Sequence, residues 1–517
     1  MTARAAGDEV LVAPRTATGL LAQRAEADPG AALVEAAGTC WTVGEVHERA
    51  RDWAARLVGA GVRPGDVVAT ALHGADAAVA LFAVELAGAV ELPVSSRLPA
   101  ERTAQALHAA RCGLLLTDSP TLGGSPGLQA VEGQALVLVV HPAPDGERGV
   151  RALADRPAGA LPGGPPDPLA PGLVISTSGT TGPAKAVLLP RAAGVRHARR
   201  VALSMAYGPQ DVLLNVFPWH HVNVRHAALL PALLSGARLV VEERFSASAF
   251  WTVCRRSGVT AFNFMGAMAA ILLRAGTPSG PHRVRRAYGG PAPASLVTQF
   301  AERFGVLLLE AYACTELGDV ATNTVTDVQP GSAGRPVPEY DVSVVGETGD
   351  AVATGTVGRI VVRERVAGTR LLGHLRDGVV RHVDDAATET GDLGRLDDQG
   401  RLWFAGRTTD SVRRRGENIS CWQVEQVLVE APGVSEVAVV GVPSELTEED
   451  VLAVVVAAPG CAPDPQPVWQ HAARSLPAHE VPRWLRFVEH LPRNASQKVD
   501  KAALRAAGTA GATERDR

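Results

Sequence analysis

The sequence predicts an α/β fold built on a largely parallel sheet. Helical and strand patterns alternate over residues 1 to 117, which is typical of βαβ units. A chain of 517 residues is too long for one compact core, so two or more domains are expected. The stretch from Leu173 to Pro190 places a polar loop between two apolar strands. The rest of the chain is organised around that loop.

The N-terminal elements follow from apolar periodicity and from Gly and Pro at the turns. The predicted elements are, in chain order, a helix over residues 46–59, a turn over 61–66, a strand over 67–70, a helix to 87, a strand over 88–93, a strand over 135–140 and a flexible link over 161–168. None of them carries a chemical motif, so this part is interpreted as scaffold.

Composition indicates a globular protein without a general affinity for polyanions. Apolar residues make up 46% and charged residues 20% of the chain, and the net charge is −4, so neither nucleic acid nor a membrane is expected as a partner. The six cysteines lack C-x-x-C spacing, which predicts neither a zinc site nor a disulfide framework and fits a cytoplasmic location. No signal peptide follows Asp8 and Glu9, and polar residues interrupt the apolar stretch at 67–94.

The loop from Ser176 to Lys185, Ser-Thr-Ser-Gly-Thr-Thr-Gly-Pro-Ala-Lys, favours a polyphosphate ligand. Its hydroxyl groups and closely spaced amides can surround an anion, and the lysine adds charge. A Walker A loop would place Ser or Thr after the lysine and then enter a helix, whereas a strand-like run follows here. A conventional P-loop is therefore disfavoured, and an ordinary turn between strands is the alternative.

Lysine usage supports a functional loop. Lysine and arginine together number 50, but the lysines are only Lys185, Lys498 and Lys501. Lysine is a compact point charge on a flexible stem, whereas arginine is a planar fork. We therefore hypothesise that Lys185 and Lys498 both take part in the same phosphate chemistry.

These motifs, with those given below, resemble the adenylate-forming superfamily of acyl-CoA synthetases, peptide-synthetase adenylation domains and luciferases. The loop resembles the family's TSGTTGxPKG signature, with Ala184 and Ala186 in place of Pro and Gly. The resemblance covers nearly the whole chain. Residues 415–421 and 245–251 look most similar to small-acid CoA ligases of the carnitine/crotonobetaine type.

The resemblance implies a complete fold. It implies a large N-terminal AMP-binding domain over residues 1–409, with mixed, largely parallel sheets, helices and a small β-barrel-like part. It also implies a small, mobile α+β lid domain over residues 410–517, with Asp410 at the hinge.

The resemblance also implies how the nucleotide is bound. Residues 312–316, Tyr-Ala-Cys-Thr-Glu, are similar to the family's YGxTE motif, in which the ring stacks on adenine and the threonine contacts the α-phosphate. The glutamate of that motif, Glu316, would hold Mg²⁺, a hard cation that prefers carboxylate and phosphate oxygens. Asp392 would accept hydrogen bonds from the ribose hydroxyls. The implied contacts to ATP and CoA are Thr177, Ser178, Gly179, Thr180, Thr181, Gly182, Lys185, Gly289, Gly290, Pro291, Tyr312, Asp392, Arg407, Arg413 and Gly416.

The implied catalytic residues are Lys498, Thr315, Glu316 and His221. Lys498 matches the family's C-terminal lysine, although Gln497 replaces the usual glycine before it. His221 matches a position bordering the acyl pocket, for which residues 262–268 are further candidates or plain core. A metal site at the clustered histidines is disfavoured because carboxylates at ligand spacing are missing.

The predicted reaction is ATP-dependent activation of a carboxylic acid to an acyl-adenylate, with release of pyrophosphate, followed by transfer to CoA. ATP, Mg²⁺, CoA and a small carboxylic acid are therefore the expected ligands. Transfer to a carrier protein or an amine is the alternative, and a non-catalytic nucleotide-binding protein is an alternative from another class. The identity of the acid and a homodimeric state are left open.

Overall fold

The computed structural model describes residues 15–131, 135–140, 151–177, 185–276, 280–376, 378–383, 387–414, 417–444, 448–493 and 499–515. Contacts divide the chain into two compact units. The first comprises Met1–Asp341 and Arg363–Ala386, and the second comprises Val342–Val362 and Ala387–Arg517. The domain boundary expected at residues 409/410 stays a prediction.

Strands form wherever short apolar or alternating runs lie between turn residues. The strands of the described residues are β1 (Ala32–Ala36), β2 (Thr39–Thr42), β3 (Val67–Ala71), β4 (Val90–Pro93), β5 (Leu114–Thr117), β6 (Leu136–Val139), β7 (Arg151–Ala152), β8 (Pro171–Thr177), β9 (Lys185–Pro190), β10 (Val212–Asn215), β11 (Arg238–Val241), β12 (Ala261–Phe264), β13 (Arg286–Gly289), β14 (Leu307–Cys314), β15 (Gly318–Thr322), β16 (Arg335–Pro336), β17 (Tyr340–Val345), β18 (Gly358–Glu364), β19 (Gly373–Arg376), β20 (Val379–His382), β21 (Ala387–Leu396), β22 (Leu402–Arg407), β23 (Ser411–Arg414), β24 (Glu417–Ser420), β25 (Val434–Pro443), β26 (Glu449–Ala457), β27 (Trp484–Val488) and β28 (Thr513–Glu514).

Helices connect these strands and cover the sheets. They are α1 (Ala17–Ala27), α2 (Val43–Gly59), α3 (Gly74–Leu86), α4 (Ala100–Ala109), α5 (Ser119–Gly123), α6 (Pro126–Gln129), α7 (Arg191–Ser204), α8 (Val222–Val224), α9 (Leu230–Ser235), α10 (Ala247–Arg256), α11 (Gly266–Ala275), α12 (Ala294–Phe304), α13 (Cys421–Leu428), α14 (Pro465–Ser475) and α15 (Lys501–Ala506), with a π-helical turn at Arg225–Leu229 between α8 and α9. No helix of the described residues is both long enough and apolar enough to span a bilayer.

The first unit contains two large mixed sheets. Among the described strands, one sheet has the order β16-β15-β14-β13-β12-β10-β11-β1-β2 and the other β20-β19-β9-β8-β4-β3-β5-β6-β7. The inner pairs of both sheets are parallel, as in β12–β13, β13–β14 and β3–β4. Antiparallel pairs such as β14–β15 and β8–β9 extend them. The prediction of mixed, largely parallel sheets is confirmed.

Helix α3 lies in the main core of this unit. Ten of its thirteen residues are buried, as expected for a helix that is apolar all round. Its core cluster includes Leu213 of one sheet and Leu116 of the other.

Helix α2 starts three residues before the predicted position. Thr42 and Glu45 form a capping box, in which the Thr42 amide donates to Glu45 Oε2 at 2.8 Å and the Glu45 amide donates to Thr42 Oγ1 at 3.2 Å. This reciprocal pair satisfies two amides at the helix start and therefore moves the boundary.

The second unit combines small sheets with helices. The strands β17-β18-β21-β22 form one sheet and β25-β26-β27-β28 form another. The barrel-like part expected in the N-terminal domain stays a prediction. Helices α13 and α14 cover the latter sheet, with Val424, Leu428 and Trp469 buried against Val439 and Val451. The predicted small α+β C-terminal part is confirmed.

Candidate active site

The loop that dominates the sequence joins two paired strands. Strands β8 and β9 are antiparallel, and Thr177 lies opposite Lys185 in their register. The loop therefore begins and ends at one pair of facing residues in the sheet. The two strands predicted on either side of the loop are confirmed. Thr177 and Lys185 are described by their backbone alone, and the predicted phosphate contacts Ser178, Gly179, Thr180, Thr181 and Gly182 lie outside the described residues.

A glycine turn follows β13, at the carboxyl edge of the parallel strands. Gly289 pairs with Phe264 on one side and with Glu310 on the other. Its φ is 154°, and a Cβ atom there would lie 1.9 Å from the Phe264 carbonyl oxygen, so only glycine fits. Gly290 and Pro291 follow, joined by a cis peptide bond. At the turn predicted to contact adenine, the backbones of Gly289 and Phe264 therefore approach each other closely.

Glu310 holds this turn in place from the next strand. Its carboxylate accepts hydrogen bonds from the Ala292 amide at 3.0 Å and from the Gly331 amide at 2.9 Å. Burial raises the pKa of Glu310 to about 7, against the lowering effect of these two bonds. Sequence analysis missed this residue, although a lone acidic residue inside an apolar strand is a signal of a specific partner.

Strand β14 carries the predicted adenine and phosphate residues to the same edge. Tyr312 is buried and pairs with Ala321 of β15. Thr315 and Glu316 lie in the turn between β14 and β15 and are partly exposed. The Glu316 carbonyl oxygen accepts a hydrogen bond from the Leu371 amide at 2.7 Å, which fixes the backbone of the turn. Ligands of open α/β sheets bind at this carboxyl edge.

The surroundings of Glu316 fit Mg²⁺ as a shared ligand of protein and substrate. In the described part of the chain, no three His, Cys, Asp or Glu side chains form a group that could hold a metal. Mg²⁺ is usually held by one or two carboxylates together with substrate phosphates and water. A single partly exposed carboxylate, with the remaining oxygens supplied by the predicted nucleotide phosphates and by water, satisfies that requirement.

His221 is positioned by a short helical segment. It precedes α8, and its amide donates to the Pro218 carbonyl oxygen at 3.1 Å. The ring centroids of His220 and His221 are 4.3 Å apart. Burial, and next the neighbouring His221, lower the pKa of His220 to about 3, so His220 is neutral at physiological pH.

A buried ion pair anchors the segment that carries His221. Arg225 Nη1 lies 2.5 Å from Glu91 Oε2 and Nη2 lies 2.7 Å from Oε1, and both residues are buried. Arg225 Nε also donates to the Trp219 carbonyl oxygen at 2.7 Å. In the sequence, Glu91 and Arg225 are each a charged residue within an apolar stretch, which indicates a buried partner for each. The sequence does not show that they are each other's partner.

An open cleft of about 230 Å³ reaches Thr315 in the first unit. Its lining residues are Leu189, Ala193, His197, Val222, His226, Cys314, Thr315, Gly318 and Thr369. The residues predicted to line the acyl pocket do not line this cleft. Phe262, Phe264 and Met268 are instead buried in a hydrophobic cluster. Their assignment to the acyl pocket stays a prediction.

A buried polar cluster stands behind this cleft. His197 Nε2 lies 3.2 Å from Asp319 Oδ1 and 3.4 Å from the Tyr288 hydroxyl, which itself donates a short hydrogen bond to Asp319. The rings of His197 and His226 meet edge to face, with centroids 6.0 Å apart. Sequence analysis missed the cluster because its members are far apart in the chain.

In the second unit, the two predicted ribose contacts lie side by side. Asp392 of β21 pairs with Arg407 of β22, and Arg407 Nε lies 3.2 Å from Asp392 Oδ1. The Asp392 side chain is 8% exposed and that of Arg407 is 53% exposed. A buried carboxylate beside an exposed cation has the acceptor atoms for two hydroxyl groups at the surface.

The predicted hinge residue is held inside the second unit. Asp410 pairs with Arg505 at 3.1 Å and forms a shorter ion pair with Lys501, whose Nζ also lies 2.7 Å from Glu425 Oε1. Burial lowers the pKa of the Lys501 amine, but the neighbouring acidic groups, Glu425 first, outweigh this effect and raise it overall. Lys501 is therefore a structural cation.

Arg413 lies on β23 opposite Asn418 of β24 and is exposed. Its amide donates to Glu449 Oε2 at 2.9 Å. The predicted contacts Gly416 and Lys498 lie outside the described residues. The roles of all these residues stay predictions.

Comparisons with known proteins cover most of the chain. Residues 21–368 match the family model of the AMP-binding enzyme, and residues 423–498 match that of the AMP-binding enzyme C-terminal domain. The sulfoacetate–CoA ligase of Cupriavidus necator is 31% identical over 443 residues, which are 80% of this chain and 86% of that protein. The crotonobetaine/carnitine–CoA ligase of Salmonella arizonae is 28% identical over 466 residues, 86% of this chain and 89% of that protein.

Solved structures share this fold. ATP-bound MatB from Rhodopseudomonas palustris superposes with a TM-score of 0.82 at 25% identity, covering 95% of this chain and 99% of that one. The amide bond synthetase McbA from Marinactinospora thermotolerans superposes with a TM-score of 0.81 at 26% identity, covering 95% and 99%.

Proposed function

The chain belongs to the AMP-binding enzymes, the adenylate-forming ligases, and from this premise we propose that it joins a carboxylic acid to CoA by way of an acyl-adenylate. The observation that carries the proposal is the carboxyl edge of β13 and β14, two neighbouring strands. The glycine turn at 289–291 follows β13, and the turn bearing Thr315 and Glu316 follows β14. The CoA ligases among the relatives support CoA as the acceptor.

In the first half-reaction the substrate carboxylate attacks the α-phosphorus of ATP, and pyrophosphate leaves. Both reactants are anions, so charge compensation and positioning supply most of the catalysis. Lys498 would bridge the carboxylate and the α-phosphate oxygens, and Thr315 would donate to the α-phosphate. The loop from Thr177 to Lys185 would hold the departing phosphates. Glu316 would hold Mg²⁺, which supplies positive charge to the phosphates when bound.

In the second half-reaction the thiolate of CoA attacks the acyl carbonyl carbon, and AMP leaves with the bonding electrons. Asp392 and Arg407 would hold the ribose in both steps. Arg413 and Gly416 would replace Lys498 near the α-phosphate once the lid turns about Asp410, with the arginine facing the phosphates of CoA. No side chain becomes acylated in this scheme.

Loss of Lys498 separates the two half-reactions. Lys498→Ala should slow pyrophosphate exchange into ATP by on the order of two to four decades, because a transition-state charge is lost. Thioester formation from a synthetic acyl-adenylate is the internal control and should remain near the parent rate. Adenylate formation by Lys498→Ala at the parent rate would show that the lysine has another role.

The acceptor needs its own experiment. The structural likeness to an amide bond synthetase favours an amine as the second candidate. Incubation with ATP, an accepted acid and either CoA, a carrier protein or an amine distinguishes the products by mass. Transfer to an amine alone would replace the CoA proposal, and an absence of pyrophosphate exchange with every acid would favour a non-catalytic nucleotide-binding protein.

A further inference from the structure

We propose that the cleft beside Thr315 binds the non-reacting end of the acid and selects a small acid whose tail donates a hydrogen bond, through a hydroxyl or an ammonium group. This inference rests on the proposed function, because it takes Thr315 as the neighbour of the reacting carboxylate. It adds the class of substrate and names His197 as the residue that specifies it.

The position of the cleft follows from its walls. Thr315 lines the cleft together with Ala193 and His197 of α7 and with Val222 and His226 of the adjacent helical segment. An acid whose carboxylate reacts beside Thr315 therefore places its remaining atoms between α7 and residues 222–226. The aromatic side chains Phe262 and Phe264 are packed in another cluster and leave this space to the histidines.

The size of the cleft limits the tail. Its empty space of about 230 Å³ includes open solvent and is therefore an upper limit on the room for a ligand. Pockets for larger ligands usually exceed ~300 Å³. This upper limit excludes a long acyl chain and leaves room only for a short tail.

His197 presents an acceptor to this space. Its Nε2 faces the Asp319 carboxylate at 3.2 Å and therefore donates to it. In the tautomer that donates from Nε2, the lone pair lies on Nδ1. Nδ1 is buried, and the described residues offer it no hydrogen-bond partner. Gly318, which also lines the cleft, leaves Nδ1 uncovered, since a Cβ atom there would lie 3.4 Å from it.

A second acceptor lies in an adjoining cleft that shares Ala193, His197 and Thr369. Asp319 lines it, and Asp319 Oδ2 is buried without a partner among the described residues. Buried acceptors of this kind normally have a donor, so a ligand hydroxyl or ammonium group would complete the cluster.

The charges of the walls disfavour an anionic tail. Arg200 bonds both oxygens of Glu339, at 2.9 and 3.0 Å. Arg196 of the adjoining cleft lies in the field of Glu339 and Glu364. His226 is neutral, because burial and then His197 and Arg225 hold its pKa well below the ordinary value. None of the described residues that line the cleft itself is an arginine or a lysine, so a second anionic group there would have no cation beside it.

The substrate test measures pyrophosphate exchange with matched acids. We expect kcat/KM for 4-hydroxybutanoate or 4-aminobutanoate to exceed that for pentanoate by about tenfold or more. We also expect succinate, sulfoacetate and benzoate to be poor substrates. A preference for pentanoate, benzoate or a doubly anionic acid would overturn the inference and leave the proposed function standing. Exchange with no acid at all would overturn the proposed function and this inference with it.

Two variants test the residues. His197→Leu removes the acceptor and should lower kcat/KM for the hydroxy acid while leaving that for pentanoate near the parent value. His197→Gln, which can both donate to Asp319 and accept from the ligand, should recover part of the preference. If His197→Leu lowers both acids equally in a folded protein, His197 is structural and the inference fails.

A steric variant keeps the test open should His197→Leu fail to fold. Ala193→Val narrows the cleft and should reduce activity with 4-hydroxybutanoate more than with the shorter glycolate. Ala202→Val, on the same helix but outside the lining residues, is the matched control and should change neither. Equal effects of Ala193→Val on both acids would place the tail elsewhere and overturn the inference.

Discussion

Glu310 links the sheet to the glycine turn that is predicted to contact adenine. It sits on β14 next to Gly289, and each of its two oxygens accepts a backbone amide, from Ala292 and from Gly331. The two hydrogen bonds stabilise the charged carboxylate of Glu310, whereas its burial destabilises that charge. The balance raises the pKa of Glu310 to about 7.

This raised pKa predicts a pH-dependent stability. The native carboxyl group takes up a proton near pH 7, whereas in the unfolded chain it does so near its ordinary pKa of 4.5. The native state therefore binds more protons between these values, and the stabilisation is fully present below the lower value and lost as pH rises through the higher one. Going from about pH 7.5 to about pH 5.5 should stabilise the parent relative to Glu310→Gln by roughly 1–2 kcal/mol. Urea unfolding at both pH values measures this difference.

Glu302 provides the matched control, because it is exposed on the neighbouring helix α12. Glu302→Gln removes a carboxylate without touching a buried hydrogen bond. An equal pH response of the two variants would mean that burial of Glu310 is not the cause.

The ion pair of Glu91 and Arg225 predicts a larger effect on stability. Both side chains are at least 96% buried, with 4% and 2% of their surface exposed. Glu91→Gln leaves the guanidinium group without its charged partner and should lower the free energy of unfolding by about 3–5 kcal/mol. The urea midpoint of the first unit reports the change.

The double variant Glu91→Gln/Arg225→Met removes both charges and should recover much of that loss. If the double variant is no more stable than Glu91→Gln, the cost comes from packing and not from an unpaired charge.

At the scale of elements, helix α15 is tied to the predicted hinge. Lys501 at its first position and Arg505 in its last turn both pair with Asp410, and Lys501 also pairs with Glu425 of α13. Lys498 is three residues before this helix in the sequence. The pairs therefore connect the segment after the predicted catalytic lysine to the predicted hinge residue.

Asp410→Pro tests whether this position is a hinge. Proline fixes φ and restricts the preceding residue, so a trapped lid should still exchange pyrophosphate into ATP but transfer poorly to CoA. The substitution also removes the Asp410 amide, which donates to the Arg407 carbonyl oxygen at 3.1 Å, and the ion pairs with α15. Both half-reactions must be measured on the same folded protein.

Two controls separate these effects. Asp410→Asn and Lys501→Met weaken the ion pairs but keep the amide and the freedom of φ. If they reproduce the selective loss of transfer, the ion pairs matter and the hinge does not. Equal loss of both half-reactions in Asp410→Pro would also argue against a hinge.

The sequence predicted individual helices and strands better than the contacts between them. The strands on either side of the phosphate loop, the strand at residues 67–71 and the helix before Ala87 were predictable because apolar periodicity is local. The start of α2 was misplaced because a capping box, not periodicity, fixes it. Contacts such as Tyr288 with Asp319 depend on register between distant strands, which no local pattern contains.

At the scale of the whole molecule, motifs predicted more of the site than of the topology. Tyr312, Thr315 and Glu316 lie within five consecutive residues, so their common location on β14 and the following turn was predictable. The order of the strands within the sheets was not predictable. For example, β10 lies between β11 and β12, although both of these strands follow it in the chain. The lining of the cleft was also missed, because it combines residues of α7, the segment after His221 and the turn after β14.

The pairing of Thr177 with Lys185 bears on how the length of the loop between them is selected in evolution. The paired strands already fix the two ends of the seven residues between them, and chain-closure entropy grows only with the logarithm of the number of residues. Inserting two glycines after Gly182 should therefore change the free energy of unfolding by only about 0.2 kcal/mol. Pyrophosphate exchange should fall at least tenfold in the same protein, because the amides no longer meet the phosphates together. A stable, inactive insertion variant would indicate that the nucleotide, and not the fold, sets the length of this loop; retained activity would contradict the assignment of the loop to phosphate.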